Sequence, residues 1–204
     1  MSHNIPAAPA FGVPLPIVAA PEVLAFLARR RSASALSLRA PGPSAAELND
    51  LLALAARVPD HGKLAPWRFI VLGGDAKAAF AARLERLAAG RPDAVKLIAK
   101  LGKLKAPPVG VTVISRTVEG EIPEWEQLMS AGAVCTTLTY AATAMGYGAN
   151  WITDWYAYDA EARAALGLAT GERVAGFVLI GTTAEPPQER VRPDAAALTS
   201  FWGA

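Results

Sequence analysis

The sequence predicts an α+β or α/β domain whose single β-sheet is covered by helices on both sides. Three observations carry that expectation. Helix-type and strand-type patterns alternate along the chain, and the helices are concentrated in its first half. Val109 to Ser115 is a continuous β-branched run, of the kind a strand needs when both of its faces are buried. Of the 204 residues, 52% are hydrophobic and 19% charged, ample apolar material for a length at which roughly 70% of the unfolded surface disappears on folding.

Residues 1–20 are apolar but broken by Pro6, Pro9, Pro14 and Pro16, and read as a flexible or surface-lying tail ahead of one domain, 21–204. Pro21 suits a first helical turn, and Val23, Leu24, Phe26 and Leu27 follow at near-helical spacing until Arg29–Ser32. Pro41-Gly42-Pro43 forces a turn, Ser44 and Glu47 form a capping box, and Leu48, Leu51, Leu52 and Ala55 line a second helix that stops before Pro59. Trp67–Leu72 reads as a strand closed by Gly73-Gly74. Asp75 is placed to cap a third helix, and Pro92 opens a fourth that carries Val95, Leu97, Ile98 and Leu101. The Val109–Ser115 strand precedes a long helix from about Pro123 to Gly146. A strand from Gly148 to Trp151, a short helix from Asp159 to Leu166 and a last central strand from Val174 to Ile180 complete the order. Leu198, Phe201 and Trp202, in an otherwise polar and Pro-rich tail, suggest docking on a partner subunit.

Composition narrows the function. Twenty Lys+Arg against 18 Asp+Glu leave a net charge of +2, too little for a field that holds a polyanion, so no nucleic-acid partner is expected. One cysteine, Cys135, cannot form an internal disulfide, and with two histidines it cannot build a Cys/His zinc cage. A reducing cytoplasm fits that usage. Mean hydropathy is +0.26, yet the longest apolar run, Ser130–Tyr147, is laced with Thr, Gly and Ala and reads as a buried helix rather than a membrane span. No secretory signal is expected either, since no basic region precedes a continuous apolar core. Dinucleotide-fold, P-loop, nucleophile-elbow and zinc-protease motifs are all missing from the sequence, which points to chemistry done by a bound cofactor.

Four clusters stand out. Arg29-Arg30-Arg31-Ser32-Ala33-Ser34 sets three guanidiniums side by side at a helix end, and their forked donors match phosphate geometry; the plain alternative is a solvated basic helix end. Arg57–Trp67 packs Arg57, Asp60, His61 and Lys63 among two prolines and a glycine between a helix and a strand; alternatively it is a rigid loop with exposed charges. Trp125-Glu126-Gln127 and Met129–Gly132 run into the long helix, whose Ala131, Cys135, Thr139, Ala142 and Met145 suit either a flat ligand or ordinary core packing. Cys135 within it reads as an inert buried thiol. Gly146–Trp155 is glycine-punctuated and aromatic, offering close backbone approach and stacking surfaces, or simply packing.

Taken in order, these clusters resemble the nitroreductase family of flavin enzymes, and more narrowly a compact branch. Arg30-Arg31-Ser32-Ala33-Ser34 matches its Arg-Arg-Ser-x-Ser signature, and Arg57, Pro59, Asp60 and His61 match its Arg-x-Pro-Asp-His. Val58 to Trp67 aligns without gaps on the family's Ala-Pro-Ser-x-x-Asn-x-Gln-Pro-Trp. Trp125–Gly132, Gly146-Tyr147-Gly148 with Trp151, and Gly176-Phe177-x-x-x-Gly181 complete the series. The resemblance covers about Glu22 to Trp202. It implies a nitroreductase-like fold with a central mixed sheet of about four to five strands, and a homodimer with two FMN sites at the subunit interface. It further implies hydride transfer from NADH or NADPH through FMN to a nitroaromatic, quinone or similar small-molecule acceptor.

By matching position, Arg30, Arg31 and Ser32 would hold the phosphate and ribityl end, with Ser34 close by. Arg57 and His61 would reach the flavin from the other chain, and Lys63 could add a donor near the pyrimidine edge. Trp151, Ile152 and Thr153 would lie along the flavin, and Arg190, or as second choice Arg192, would assist with phosphate. No residue is assigned as nucleophile or general base. Ala65 stands where the family has glutamine, and Ile152 where the branch often has arginine. These two losses motivate an alternative, a flavin-binding or flavin-storage protein without nicotinamide-dependent turnover.

Overall fold

The computed structural model describes residues 5–203. Its helices are α1 (Pro21–Arg29), α2 (Ala45–Ala55), α3 (Gly74–Ala89), α4 (Ala94–Lys100), α5 (Gly102–Lys105), α6 (Glu124–Ala144), α7 (Trp155–Tyr158) and α8 (Ala160–Ala165). Five strands accompany them: β1 (Leu38–Arg39), β2 (Trp67–Gly73), β3 (Val109–Ser115), β4 (Gly148–Ile152) and β5 (Arg173–Thr183). Residues 5–20 contain neither helix nor strand, and Ile5 packs partly buried beside α2.

The expected capping box is present: Glu47 N–H donates to Ser44 Oγ at 3.3 Å and Ser44 N–H donates to Glu47 Oε2 at 2.9 Å. Helix α3 differs from expectation. It starts two residues early, with Gly73 as its cap, and Asp75 lies in the first turn without capping it. There the carboxylate still complements the positive end of the helix.

β5 is the hub of the sheet. It pairs with β3 along one edge and with β4 and then β1 along the other, while β2 extends the sheet beyond β3. Successive side chains of β5 alternate between two cores. Phe177 and Leu179 enter the one built with Leu72, Phe80, Leu84, Leu101, Leu104 and Tyr156. Val178 and Ile180 enter the other, with Val111, Val113, Leu51, Val134 and Leu138. Both faces are thus covered, and burying each such side chain contributes about 1.5–3 kcal/mol.

The sheet is not mixed: all four hydrogen-bonded pairings are antiparallel. The connections explain this. Between β2 and β3, α3 and the α4–α5 pair go out and back, so Val109 returns beside Gly73. Between β3 and β4, the single helix α6 does make a crossover, and the two strands run in the same direction, because Val109 faces Ile180 and Gly148 faces Gly181. The parallel strands never touch, since β5 lies between them.

Two features bind distant segments. Arg68 of β2 makes a two-pronged ion pair with Glu172, Nε and Nη2 each donating at 2.7 Å, and Nη2 also donates to the Gly167 carbonyl at 3.1 Å. Ala169 N–H adds a bond to Glu172 at 2.8 Å, and together these partners hold that carboxyl down at about 2. Gly148 lies where β4, β5 and β1 converge: a methyl there would overlap Thr183 Cγ2 and meet Leu38 Cδ2 at 2.6 Å. Because Leu38 is fully buried, Gly148→Ala is expected to cost about 1–3 kcal/mol through overpacking. A melting-temperature drop of roughly 2–4 °C per kcal/mol is the measure.

Candidate functional site

The C-terminal end of α1 delivers the basic cluster. Arg29, Arg30 and Arg31 line a depression of about 370 Å³ with Glu22, Phe26 and Pro187. Arg30 lies over the Tyr140 ring of α6 at 5.6 Å and donates to Ser32 Oγ at 3.4 Å. Arg31 Nε donates to the Gln188 carbonyl at 2.8 Å, with Glu189 4.0 Å away. The C-terminal segment therefore folds over the cluster. Arg192, not Arg190, reaches it, donating to the Arg30 carbonyl at 3.1 Å; among the described residues the Arg190 side chain donates to the neighbouring Val191 carbonyl at 3.2 Å. Ser34 is exposed, and its carbonyl accepts from Ser37 Oγ at 2.8 Å.

The second cluster is a pre-shaped loop. His61, Gly62, Lys63 and Ala65 all have positive φ, at 49°, 81°, 68° and 43°, which is costly for the three that carry a Cβ. Asp60 offsets that cost: its carboxylate accepts the Lys63 N–H at 3.0 Å and the Ala65 N–H at 3.1 Å. Such an aspartate-centred turn has a sequence signal in Pro-Asp followed by glycine, but its charge masks a backbone role. Lys63 extends its ammonium over the Phe11 ring at 5.4 Å. Arg57 lines a different hollow, beside residues 6–9 along α2.

Helix α6 braces this loop, which gives the third cluster its purpose. Ser130 Oγ donates to the Pro59 carbonyl at 2.7 Å and accepts from Trp67 Nε1 at 3.1 Å. Buried Gln127 holds the preceding segment through Val118 N–H, the Val118 carbonyl and the Ile122 carbonyl, at 2.8, 2.8 and 3.0 Å. Glu126 accepts from His61 Nδ1. Between helix and loop lies a cavity of about 700 Å³, whose wall includes His61, Trp125, Glu126 and Met129. Cys135, one turn deeper, is fully buried, and burial pushes its thiol up to about 12.

On β4, Trp151 is 42% exposed, and its Nε1 donates to the Ala175 carbonyl at 3.3 Å. Gly176 admits the indole, since a methyl there would overlap it, and Gly181 gives Pro108 and the Arg39 carbonyl the same room. The glycines of Gly176-Phe177-x-x-x-Gly181 thus serve close packing. Ile152 is half-buried, with its side chain packed against the core. Thr153 accepts from Tyr158 Oη at 2.9 Å.

Within one chain the predicted residues fall into separate groups. Arg30, Arg31 and Ser32 meet Arg192; Arg57, His61 and Lys63 share the loop; Trp151, Ile152 and Thr153 share β4 and its end. The depression lined by Arg30 and Arg31 does not include His61, and the His61 cavity does not include either arginine.

Comparison with known proteins bears on these groups. The nitroreductase family model matches residues 27–182. The chain is 34% identical over 164 residues to "Putative NAD(P)H nitroreductase YdjA" of Escherichia coli (strain K12), covering 79% of this chain and 88% of that protein. It is 32% identical over 174 residues to a Haemophilus influenzae "Putative NAD(P)H nitroreductase", covering 84% and 94%. The fold superposes on a nitroreductase-like family protein from Bacillus cereus with a TM-score of 0.80 at 17% identity, covering 93% of this chain and 100% of that one. On a nitroreductase with bound FMN from Bacteroides fragilis the TM-score is 0.66 at 23% identity, covering 88% and 98%. The chain belongs to the nitroreductase family.

Proposed function

We propose that this protein is a homodimeric, FMN-dependent oxidoreductase that uses NADH or NADPH to reduce nitroaromatic, quinone or similar acceptors. The observation that carries the reading is that the arginine-lined depression and the His61 cavity lie apart within one chain of this family, as the two halves of a site shared between subunits would. Names of relatives that include NAD(P)H, and a fold neighbour with bound FMN, support it.

The donor set fits a phosphate. Arg30 and Arg31 are half-buried and forked, and a dianion recruits fixed cations strongly. In this reading Arg30, Arg31 and Ser32 hold the phosphate and ribityl end, Ser34 lies at the adjoining turn, and Arg192 or Arg190 completes the charge. From the other chain, His61 would face the ring, and Arg57 and Lys63 would join it by leaving the residue 6–9 hollow and the Phe11 ring; donors there stabilise negative charge that develops on reduction. Trp151, Ile152 and Thr153 border the flavin ring. Bound FMN would supply the redox chemistry, accepting a hydride from the nicotinamide and delivering two electrons to the acceptor.

Apolar surface supports the dimer. Leu24 of α1 is 69% exposed, and its neighbours Val23 and Leu27 are exposed too. At the other terminus Leu198, Phe201 and Trp202 project outward, as segments do that dock on a second copy. The domain is 21–204 with residues 1–20 as an appended arm, and the lone buried Cys135 suits the cytoplasm. Among the described residues no helix is long and apolar enough to cross a membrane.

Protein purified without added cofactor is expected to be yellow and to bleach anaerobically with NADH or NADPH. Colourless protein that ignores added FMN would overturn the reading. Bleaching by dithionite but by neither nicotinamide would establish the flavin-storage alternative, for which Ala65 and Ile152 speak.

A further inference from the structure

The cavity between the His61 loop and α6 has a one-sided chemistry. Trp125 and Met129, each 58% exposed, give it a flat polarizable wall, closed by Pro59 and Pro123. Its titratable lining groups are Glu126 and His61, which touch each other through Nδ1. Ser130, also on the wall, has its hydroxyl committed to the Pro59 carbonyl.

Within one chain the cations around the loop are engaged elsewhere: Lys63 is over Phe11, Arg57 lines the hollow beside residues 6–9, Arg116 donates to the Ala65 carbonyl, and Arg173 is paired with Glu124. The lining itself holds no lysine or arginine, and its histidine is engaged by Glu126.

We propose that this cavity takes the planar electron acceptor and that Glu126 restricts it to neutral and cationic rings. The inference rests on the oxidoreductase reading above and adds a substrate class and a specificity-determining residue to it. Trp125 supplies the stacking face, and Glu126 opposes carboxylated or sulfonated acceptors.

The test uses two quinones with the same ring system, neutral menadione and anionic 1,4-naphthoquinone-2-sulfonate. Their equilibrium binding to the oxidised protein is measured by calorimetry with no nicotinamide present, and the ratio of their kcat/KM values is measured in turnover. Menadione is expected to bind more tightly to the wild type. Glu126→Gln, which keeps an oxygen to accept from His61, is expected to shift both ratios toward the sulfonate by about 3–10-fold, a size set by two half-exposed charges in partial solvent screening. The shift should shrink in 0.5 M salt. Trp125→Ala is expected to weaken both quinones by about 2–10-fold. An unchanged ratio in Glu126→Gln, tighter sulfonate binding by the wild type, or no binding of either quinone to yellow protein that bleaches with nicotinamide would each overturn the inference and leave the oxidoreductase reading standing. Colourless protein that ignores FMN would remove both.

Discussion

Replacing Arg30 and Arg31 together by alanine is expected to weaken FMN binding by about a thousandfold. Each charge-assisted hydrogen bond contributes about 1.5–3 kcal/mol, and the two guanidiniums line the same depression. The measurement is a titration of flavin into apoprotein, followed by quenching of flavin fluorescence. Riboflavin, which lacks the phosphate, is the control. If the arginines hold the phosphate, the double variant loses its preference for FMN over riboflavin; equal losses for both ligands would mean that the variant had merely damaged the surrounding fold. That distinction matters because Arg30 also packs over Tyr140, so its removal sacrifices contact area as well as charge.

The second large effect concerns acid stability. In the folded protein Glu172 is held at about 2 against an ordinary 4.5, chiefly by the hydrogen bonds from Arg68. A depressed carboxyl contributes stability that is complete above the unfolded value and is lost as pH falls toward the folded one. Here the window runs from about pH 4.5 down to about pH 2, and the contribution at neutral pH is roughly 3 kcal/mol. Glu172→Gln is expected to lose about that much at pH 7 and nothing near pH 2. Urea melts of both proteins across this range provide the measurement. A gap that stays constant with pH would show that the pair is not its source. Glu172 is buried, with its side chain 11% exposed, so leaving Arg68 without a partner adds to the loss at neutral pH.

Where the local chemistry was strong, the sequence carried the fold. Ser44 and Glu47 marked a helix start because both partners lie within three residues, and the Val109–Ser115 run declared a strand buried on both faces, as it is. β1 was not legible because two residues, Leu38 and Arg39, hold no period; the tertiary contact with β5 alone makes them a strand. Helix α7 was missed because Trp155–Tyr158 is largely aromatic and short, and forms under an Asp154 cap. Strand direction was misjudged because it depends on how many helices a connection contains and on which later strand intervenes, neither of which is a local property.

The candidate site divides the same way. Guanidiniums beside serines advertise an anion in the sequence itself. By contrast, Ser130 holding Pro59, and Glu126 meeting His61, join residues more than sixty positions apart, and nothing in either segment announces the other. Asp60 was visible as a charge and opaque as the organiser of a left-handed turn.

Insertion of β5 between β3 and β4 also dictates when the protein can fold. A nascent chain that has reached Ile152 holds two strands whose shared neighbour is still to be synthesised, so neither β3 nor β4 can satisfy the backbone groups on its inner edge. The two cores close only after Thr183 has left the ribosome, which ties assembly to contacts of long sequence separation and makes it slow. Chains cut short before that point would display bare strand edges and invite aggregation, whereas the loss of residues beyond it leaves the sheet intact.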